Sequence, residues 1–213
     1  MDITWYGHNC FRITERGQVT IITDPFDEAI GLPAPKLKGD VVTISQDDPA
    51  FNYVETVRGT PQVLRGPGEY EIANVFIYGA AMHKITEQEA VWNVGYKVQY
   101  NGLTLLHLGN LAHIPDQTVI QALGEVNVLL IPVGGSLRAA QAAEVISLIE
   151  PHYIVPMQYA LPGIRLQLDP LDRFLKAMGV SKVQAEDLLR VSSTMLPEQP
   201  QVVVLRPRIE LED

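Results

Sequence analysis

Residues 128–159 read VLLIPVGGSLRAAQAAEVISLIEPHYIVPMQY, and this stretch decides the fold class. Val128–Pro132 is a continuous apolar run of the kind that forms a buried strand. Arg138–Ile149 is rich in alanine and long enough for a helix, and Tyr153–Pro156 is a second short apolar run. A strand, a helix and a strand in succession predict a sheet that is covered by an outer helix.

The rest of the second half continues this alternation. Asp116–Leu123 precedes the quoted stretch and is predicted to be helical. After it, Pro170–Met178 is predicted to form a helix that ends at Gly179, because glycine accepts the left-handed conformation that closes many helices. Gln201–Leu205 is predicted to be the last strand.

The first half has a different pattern, with short β runs separated by turns. Glu15-Arg16-Gly17 and Asn101-Gly102 are predicted to be hairpin turns, since glycine and asparagine tolerate a positive φ. The predicted strands are Ile3–Tyr6, Phe11–Thr14, Val19–Thr23, Val41–Ile44, Gln62–Leu64, Tyr70–Ile72, Val75–Tyr78, Asn93–Tyr100 and Leu103–Leu108. No repeat or low-complexity linker divides the chain, so a single α/β domain over residues 1–213 is expected.

Composition and charge exclude several classes of protein. Hydrophobic residues make up 46% of the chain and charged residues 19%, which suits a folded domain with a buried core. The net charge of -9, with no cluster of Lys and Arg, argues against nucleic-acid binding. The strand-like segment Ile3-Thr4-Trp5-Tyr6 comes almost at once, with no basic region or long apolar run before it. A membrane location is therefore not expected, and a cytoplasmic location is expected. Cys10, the lone cysteine, is predicted to pack in the core.

Seven short segments in a fixed order carry a resemblance to a known family. Most of them fall at predicted strand ends. They are Tyr6-Gly7-His8-Asn9-Cys10-Phe11, Thr23-Asp24-Pro25, Asp40 to Phe51, Gly66-Pro67-Gly68-Glu69-Tyr70-Glu71, Leu106-His107-Leu108-Gly109-Asn110-Leu111, Ile131-Pro132-Val133-Gly134-Gly135 and Val155-Pro156-Met157-Gln158-Tyr159.

Together these segments resemble the metallo-β-lactamase-fold hydrolases, in particular the small bacterial branch related to the ascorbate-6-phosphate lactonases. The resemblance implies an αβ/βα four-layer sandwich, in which two mixed β-sheets are flanked by helices. It also implies a cleft along one sheet edge that holds zinc, manganese or iron. In such hydrolases a His-x-His-x-Asp-His loop, a later His, a bridging Asp and a final His bind the metal, which converts a bound water to hydroxide.

The residues at the corresponding positions of this sequence are mostly not metal ligands. Where the family has its histidine loop, this chain has Gln46, Asp48, Ala50 and Phe51. Amide oxygens are weak neutral ligands, and a methyl group or a phenyl ring is none. Asn110 stands where the bridging aspartate is expected, Gln158 stands where the last histidine is expected, and His83 keeps a matching residue type.

Ligand count therefore predicts that no metal is tightly bound. A catalytic zinc centre needs about three protein ligands and a water, whereas Asp48 and His83 are the only candidates here, and weak ones. No cofactor is expected on this ground. The sequence is interpreted as a non-catalytic relative, a pseudoenzyme, whose amide-lined cleft binds an unidentified small molecule or protein.

Three further residues are candidates for ligand contact. His8 lies in a turn that approaches the cleft, but a hydrogen-bonded structural histidine is the competing interpretation. Asp24 resembles the buried aspartate behind the family's metal loop, where it braces the backbone. His113, three residues after Asn110, lies near the expected mouth of the cleft or is a plain loop residue.

Two alternatives remain at this point. One alternative is a working hydrolase of a lactone or phosphoester, which uses one weakly held ion or uses His83, His113 and Asp48 as acid–base groups. The other alternative is a structural subunit that self-associates through apolar faces. The sequence does not choose an oligomeric state.

Overall fold

The structure, a computed structural model, describes residues 1–85 and 90–209. Its first half is built from short strands. They are β1 (Asp2–Trp5), β2 (Phe11–Thr14), β3 (Ile21–Thr23), β4 (Leu37–Lys38), β5 (Val41–Thr43), β6 (Val57–Arg58), β7 (Gln62–Leu64), β8 (Gly68–Ile72), β9 (Val75–Ala81), β10 (Lys84–Ile85), β11 (Ala90–Val91), β12 (Val94–Tyr100) and β13 (Leu103–His107).

The second half alternates strands with helices, as the sequence pattern predicts. Its elements are α1 (Gln117–Leu123), β14 (Val128–Pro132), α2 (Ala139–Ile149), β15 (Tyr153–Met157), α3 (Leu171–Ala177), β16 (Leu189–Arg190) and β17 (Gln201–Val202). Two short 3-10 helices, Glu28–Ile30 and Val54–Thr56, lie in the first half.

Two large mixed sheets form the body of the structure. The first has the strand order β16-β1-β2-β3-β5-β7, antiparallel as far as β3 and parallel from β3 to β7. The second has the order β17-β15-β14-β13-β12-β9-β8, parallel from β17 to β13 and antiparallel beyond it. Strands β4 and β6 pair with each other, and so do β10 and β11.

The alternation of side chains along each strand of the first sheet separates two apolar cores. Ile21 and Val41 face the main core, which also contains the apolar side chains of the second sheet. Their neighbours Ile22 and Val42 face the opposite side and contribute to a second core. Successive side chains of a strand point to opposite faces, so two adjacent apolar residues of one strand serve both cores.

The outer faces of the two sheets are covered differently. Ala142, Val145 and Ile146 of α2 are buried against the main core, so this helix covers the second sheet. On the first sheet the outer core is closed by loops and by the 3-10 helix at Glu28–Ile30, with Phe26 and Leu32 among its buried side chains. The three described α-helices all come from the second half of the chain.

The predicted α/β sandwich with two mixed sheets is confirmed. Asn101 and Gly102 both have positive φ, of 46° and 79°, and join β12 to β13 as the predicted hairpin turn. The predicted last strand Gln201–Leu205 is shorter: the Val203 nitrogen still donates to the Ile154 carbonyl of β15 at 2.8 Å, but Leu205 forms an isolated bridge with Glu186. Within the described residues, no helix has the length and apolar character to cross a membrane.

Candidate functional site

The ends of strands from both sheets meet along one edge. The Asn9 side chain, in the turn after β1, donates from Nδ2 to the carbonyl of Gly109, which follows β13, at 2.9 Å. The backbone carbonyl of Asn9 accepts from Thr23 Oγ1 at 2.8 Å and contacts His107 Nε2 at 3.0 Å. Asn9 therefore fixes the first sheet against the second at the edge where the sequence places its candidate residues.

Three side-chain amides form a continuous hydrogen-bonded chain at this edge. Asn110 Nδ2 donates to Gln46 Oε1 at 2.6 Å, and Gln158 Nε2 donates to Asn110 Oδ1 at 2.8 Å. Gln46 follows β5, Asn110 follows β13 and Gln158 follows β15, so the chain of amides crosses from one sheet to the other. We call Gln46, Asn110 and Gln158 the amide chain.

The buried end of the amide chain is at Gln158. This residue is 4% exposed and has a φ of 55°, and its backbone nitrogen donates to the His8 carbonyl at 3.2 Å. Its Oε1 has no hydrogen-bond partner among the described residues. A Cβ at Gly135 would lie 3.0 Å from this oxygen, so the glycine leaves room beside an acceptor that is not satisfied. An unsatisfied buried acceptor indicates a place for a water or ligand donor.

A buried carboxyl group lies behind the amide chain. Asp24 accepts from the Ser45 backbone nitrogen at 2.7 Å and from the Ser45 hydroxyl at 2.6 Å. Burial raises the pKa of Asp24 to about 7, although hydrogen bonds from Ser45 and Asn9 favour the charged form and oppose the shift. Asp24 has a φ of 37°, and it braces the strand end that carries Gln46, as its resemblance to the family's buried aspartate predicts.

The hydrogen bonds of His107 fix its tautomer. The Gly109 backbone nitrogen donates to His107 Nδ1 at 3.2 Å, so Nδ1 is an acceptor and Nε2 carries the proton that reaches the Asn9 carbonyl. Burial lowers the pKa of His107 to about 4, against the opposing effect of the Asn9 hydrogen bond. His107 is therefore neutral, with Nδ1 4.0 Å from Asp24 Oδ2.

His8 is enclosed by aromatic rings. Its ring centroid lies 4.9 Å from that of Phe51 and 6.3 Å from that of Phe26. Neither ring nitrogen has a hydrogen-bond partner among the described residues. Burial, with a smaller effect of nearby His107, lowers the pKa of His8 to about 3. The expectation that His8 is hydrogen-bonded through its ring is wrong, because aromatic carbon surrounds it; its backbone carbonyl instead holds Gln158.

Asn93 positions both Asn110 and His83. Its Oδ1 accepts from the Asn110 backbone nitrogen at 2.8 Å, and its Nδ2 donates to the Leu108 carbonyl at 2.9 Å. Its backbone nitrogen donates to His83 Nδ1 at 3.0 Å. Since Nδ1 is an acceptor, the neutral form of His83 carries its proton on Nε2. The ring of half-buried His83 lies edge-on to Trp92, with centroids 4.5 Å apart.

The other positions of the predicted site lie apart from the amide chain. Ala50 and Phe51 are buried in the outer core, so the structure does not place the phenyl ring in an open metal pocket. Asp48 is exposed, and its Oδ1 accepts from the Ala50 backbone nitrogen at 2.8 Å. His113 is half-buried. The structure thus joins three of the seven predicted positions directly and links His83 to them through Asn93.

Sequence reasoning did not include four residues that hold this site together. Asn9, Ser45, Asn93 and His107 make the hydrogen bonds that connect the strand ends. Asn9, Ser45 and His107 lie within segments that carry the family resemblance, and a polar residue directly after a predicted strand is a further signal for Ser45. His107 gives no such signal, because a histidine within an apolar strand has the pattern of an ordinary core residue.

The residues present do not fit a conventional metal centre. Among residues 1–85 and 90–209, no group of three or more His, Cys, Asp and Glu side chains is placed to hold an ion. Gln46 Oε1 and Asn110 Oδ1 already accept hydrogen bonds within the amide chain. One side-chain atom of Asp48 and one of His83 already accept a hydrogen bond from a backbone nitrogen. Two such ligands are also fewer than a catalytic zinc site requires.

Comparison with known proteins establishes the family. A sequence profile of the β-lactamase superfamily domain matches residues 2–158. The chain belongs to the metallo-β-lactamase superfamily. A Thermotoga maritima structure, assigned to the Zn-dependent hydrolases of this superfamily, is 32% identical with a TM-score of 0.80, and the match covers 96% of this chain and 97% of that one. A UPF0173 metal-dependent hydrolase of Pyrococcus furiosus is 26% identical over 100% of this chain and 99% of its own length.

These relatives correct one prediction from the sequence. The interpretation as a non-catalytic relative is wrong, because superfamily members that align over the whole chain are named metal-dependent hydrolases. A further UPF0173 metal-dependent hydrolase, from Pyrococcus abyssi, is 30% identical over 76% of this chain and 66% of its own length. Ligand count measures how tightly an ion is held, and it does not by itself decide whether a cleft hydrolyses a substrate.

Proposed function

We propose that this chain is a hydrolase that cleaves an ester bond, in a lactone or a phosphoester, at the cleft that contains the amide chain. The names of its full-length relatives support the reaction class. The single observation that carries the location is the hydrogen-bonded path from Gln46 through Asn110 to Gln158, at the edge where the strand ends of both sheets meet.

Backbone strain is concentrated at the same place. His8, Asp24 and Gln158 are non-glycine residues with φ values of 48°, 37° and 55°. Such conformations cost about 1–3 kcal/mol each and persist mostly where the surroundings impose them, often at functional sites. The other described non-glycine residues with positive φ are Ala73, Asn74, Asn101 and Glu150, which follow strands β8 and β12 and helix α2 at turns or a cap.

The amide chain has one donor end and one acceptor end. At the half-buried end, no described residue accepts a hydrogen bond from the Gln46 amide nitrogen. At the buried end, Gln158 Oε1 lacks a donor. The nitrogen is suited to a carbonyl or phosphoryl oxygen of the substrate, and the oxygen to a hydroxyl group or a water. Donors held in place by neighbours need no reorganisation when charge develops on the substrate oxygen.

Two titratable groups among the sequence-predicted site positions suit the proton transfers. Hydrolysis adds water across the ester bond, so one proton must leave the water and one must reach the alcohol oxygen. Asp48 is exposed with Oδ2 uncommitted, which suits acceptance of a proton, whereas His83 carries its proton on Nε2, which suits donation. The metal dependence of the relatives is a property to measure here, because Asp48 and His83 are the two strong ligands among the seven predicted cleft positions and no group of three such side chains is placed to hold an ion within the described residues.

The test is a hydrolysis screen under controlled metal content. Dihydrocoumarin, p-nitrophenyl acetate and bis-p-nitrophenyl phosphate are incubated with protein stripped by chelator, and then with added zinc, manganese or iron. We expect turnover of at least one substrate that falls when Gln46 and Asp48 are both changed to Ala. The surface variant Gln121→Ala, an exposed amide in α1, is the matched control. Equal rates for the double variant and the wild type, with or without metal, would refute the proposal.

A further inference from the structure

A cavity separate from the amide chain lies at the outer face of the first sheet. It has a volume of about 710 Å³ and is lined by the loop from Asp27 to Lys36, by Tyr6 and Arg165, and by Arg208 and Ile209. This volume lies in the range of pockets that hold small molecules, roughly 300–1,000 Å³. None of the seven sequence-predicted cleft positions lines it.

Backbone contacts hold the walls of this cavity in place. The Arg165 nitrogen donates to the Ile30 carbonyl at 2.7 Å, and the Arg208 nitrogen donates to the Trp5 carbonyl at 2.8 Å. Gly31 has a φ of 91°, and a Cβ there would lie 2.2 Å from the Gly163 carbonyl oxygen. The two loops therefore touch so closely that only glycine fits, which gives the cavity a preformed shape.

Two arginines of this cavity have no carboxylate partner among the described residues. Arg165 and Arg208 are exposed and in no described ion pair, whereas Arg173 and Arg206 are paired with Asp169 and Asp187 at 2.5 and 2.6 Å. Guanidinium groups without partners in a chain of net charge -9 are available to an anion from outside.

The acidic groups of the same cavity do not neutralise both arginines. Asp27 Oδ1 accepts from the Ala29 backbone nitrogen at 2.7 Å and caps the 3-10 helix, and Glu28 is exposed at the first turn. The cavity also has an apolar wall, which includes the half-buried residues Pro33, Ala34 and Ile209. A ligand that satisfies both features carries an anionic group and an apolar body.

We propose that this cavity binds a small molecule with a carboxylate or phosphate group, held by Arg165 and Arg208, and an apolar portion packed on Pro33, Ala34 and Ile209. The geometry of guanidinium favours two parallel hydrogen bonds to either anion. The proposal does not depend on the hydrolase activity, since it rests on a different set of residues.

The test is isothermal titration calorimetry at low ionic strength with four probes: phenylphosphonate, benzoate, inorganic phosphate and benzyl alcohol. We expect saturable binding of phenylphosphonate and benzoate, with a Kd on the order of 1 mM or tighter. Inorganic phosphate is expected to bind more weakly because it lacks the apolar portion, and benzyl alcohol is expected not to bind. The first two probes distinguish the phosphate from the carboxylate form of the ligand.

Variants connect the binding to this cavity. The double variant Arg165→Ala, Arg208→Ala is expected to bind phenylphosphonate at least about tenfold more weakly than the wild type. The double variant with Lys at both positions is expected to have an affinity between those of the wild type and the double alanine variant. Arg16→Ala, an exposed arginine elsewhere, and Asn110→Leu, in the amide chain, are expected to bind as the wild type does. Unchanged affinity in the double alanine variant, equal binding of benzyl alcohol, or no saturable binding of either aromatic anion would overturn the proposal.

Discussion

Asp24 accepts both the backbone and the hydroxyl hydrogen of Ser45, at 2.7 and 2.6 Å, and thereby ties the end of β3 to the end of β5. Removing the hydroxyl leaves a carboxyl oxygen with one donor fewer in a site that excludes water. We expect Ser45→Ala to reduce the free energy of unfolding by about 1–3 kcal/mol. Urea denaturation measures this change, with Ser147→Ala on the exposed side of α2 as control. Equal stability of the two variants would show that Asp24 does not depend on Ser45.

His8 makes folding sensitive to acid. Its pKa is about 3 in the folded protein and near 6.5 in the unfolded chain, so below pH 6.5 the unfolded state binds a proton that the folded state does not. Stability from this group is complete above pH 6.5 and falls as the pH drops towards 3. Between pH 7 and 5 the loss amounts to about 2 kcal/mol.

The variant His8→Phe tests this assignment. It removes the titrating group and keeps an aromatic ring among Phe26 and Phe51. We expect the loss of stability between pH 7 and 5, measured by urea denaturation at both values, to be smaller in the variant by about 2 kcal/mol. The same pH sensitivity in both proteins would contradict the buried neutral imidazole.

Gly109 is confined by its neighbours as well as by its backbone. It has a φ of 60°, and a Cβ would lie 2.3 Å from Ser45 Cβ and 2.5 Å from Asn93 Oδ1. We expect Gly109→Ala to cost at least about 2 kcal/mol of unfolding free energy, through strain and overlap together. Gly17→Ala is the matched control, because Gly17 has a φ of 75° but open space around it, so its cost reflects strain only. A similar cost for both would remove the steric part of the argument.

The choice of amides at the cleft is expected to limit metal affinity. Changing Gln46 to His, Asn110 to Asp and Gln158 to His places three strong ligands where the structure brings three amides into contact. We expect this triple variant to bind zinc at least about tenfold more tightly than the wild type, in competition with a chromophoric chelator. No difference in affinity would mean that these positions do not converge on a common ion.

Much of the fold follows from local patterns in the sequence. Strands Gln62–Leu64 and Val128–Pro132 have the predicted bounds, because Pro61 and Gly66 limit the first and the second is apolar and buried throughout. The two-residue strands β4, β6 and β16 were not predicted. They contain too few residues to show a period, and their pairing depends on segments that are distant along the chain.

The site is predictable only in part, for a similar reason. The positions of Gln46, Asn110 and Gln158 follow from the segments around them, but their hydrogen bonds depend on strands of two different sheets. The burial of the His8 ring depends on Phe26 and Phe51, which come from loops that pack over the first sheet. Sequence identifies the polar strand ends, whereas contacts across the sheets come from tertiary packing.

The central claim is that the cleft that contains the amide chain is the catalytic site of a hydrolase. Asn110 is its middle member, so Asn110→Leu removes both hydrogen bonds while it keeps the approximate volume. The most direct measurement is kcat/KM for the best substrate of the screen, compared among the wild type, Asn110→Leu and Gln121→Ala. We predict that Asn110→Leu lowers kcat/KM at least about tenfold and that Gln121→Ala leaves it unchanged. The same kcat/KM in a correctly folded Asn110→Leu protein would contradict the account.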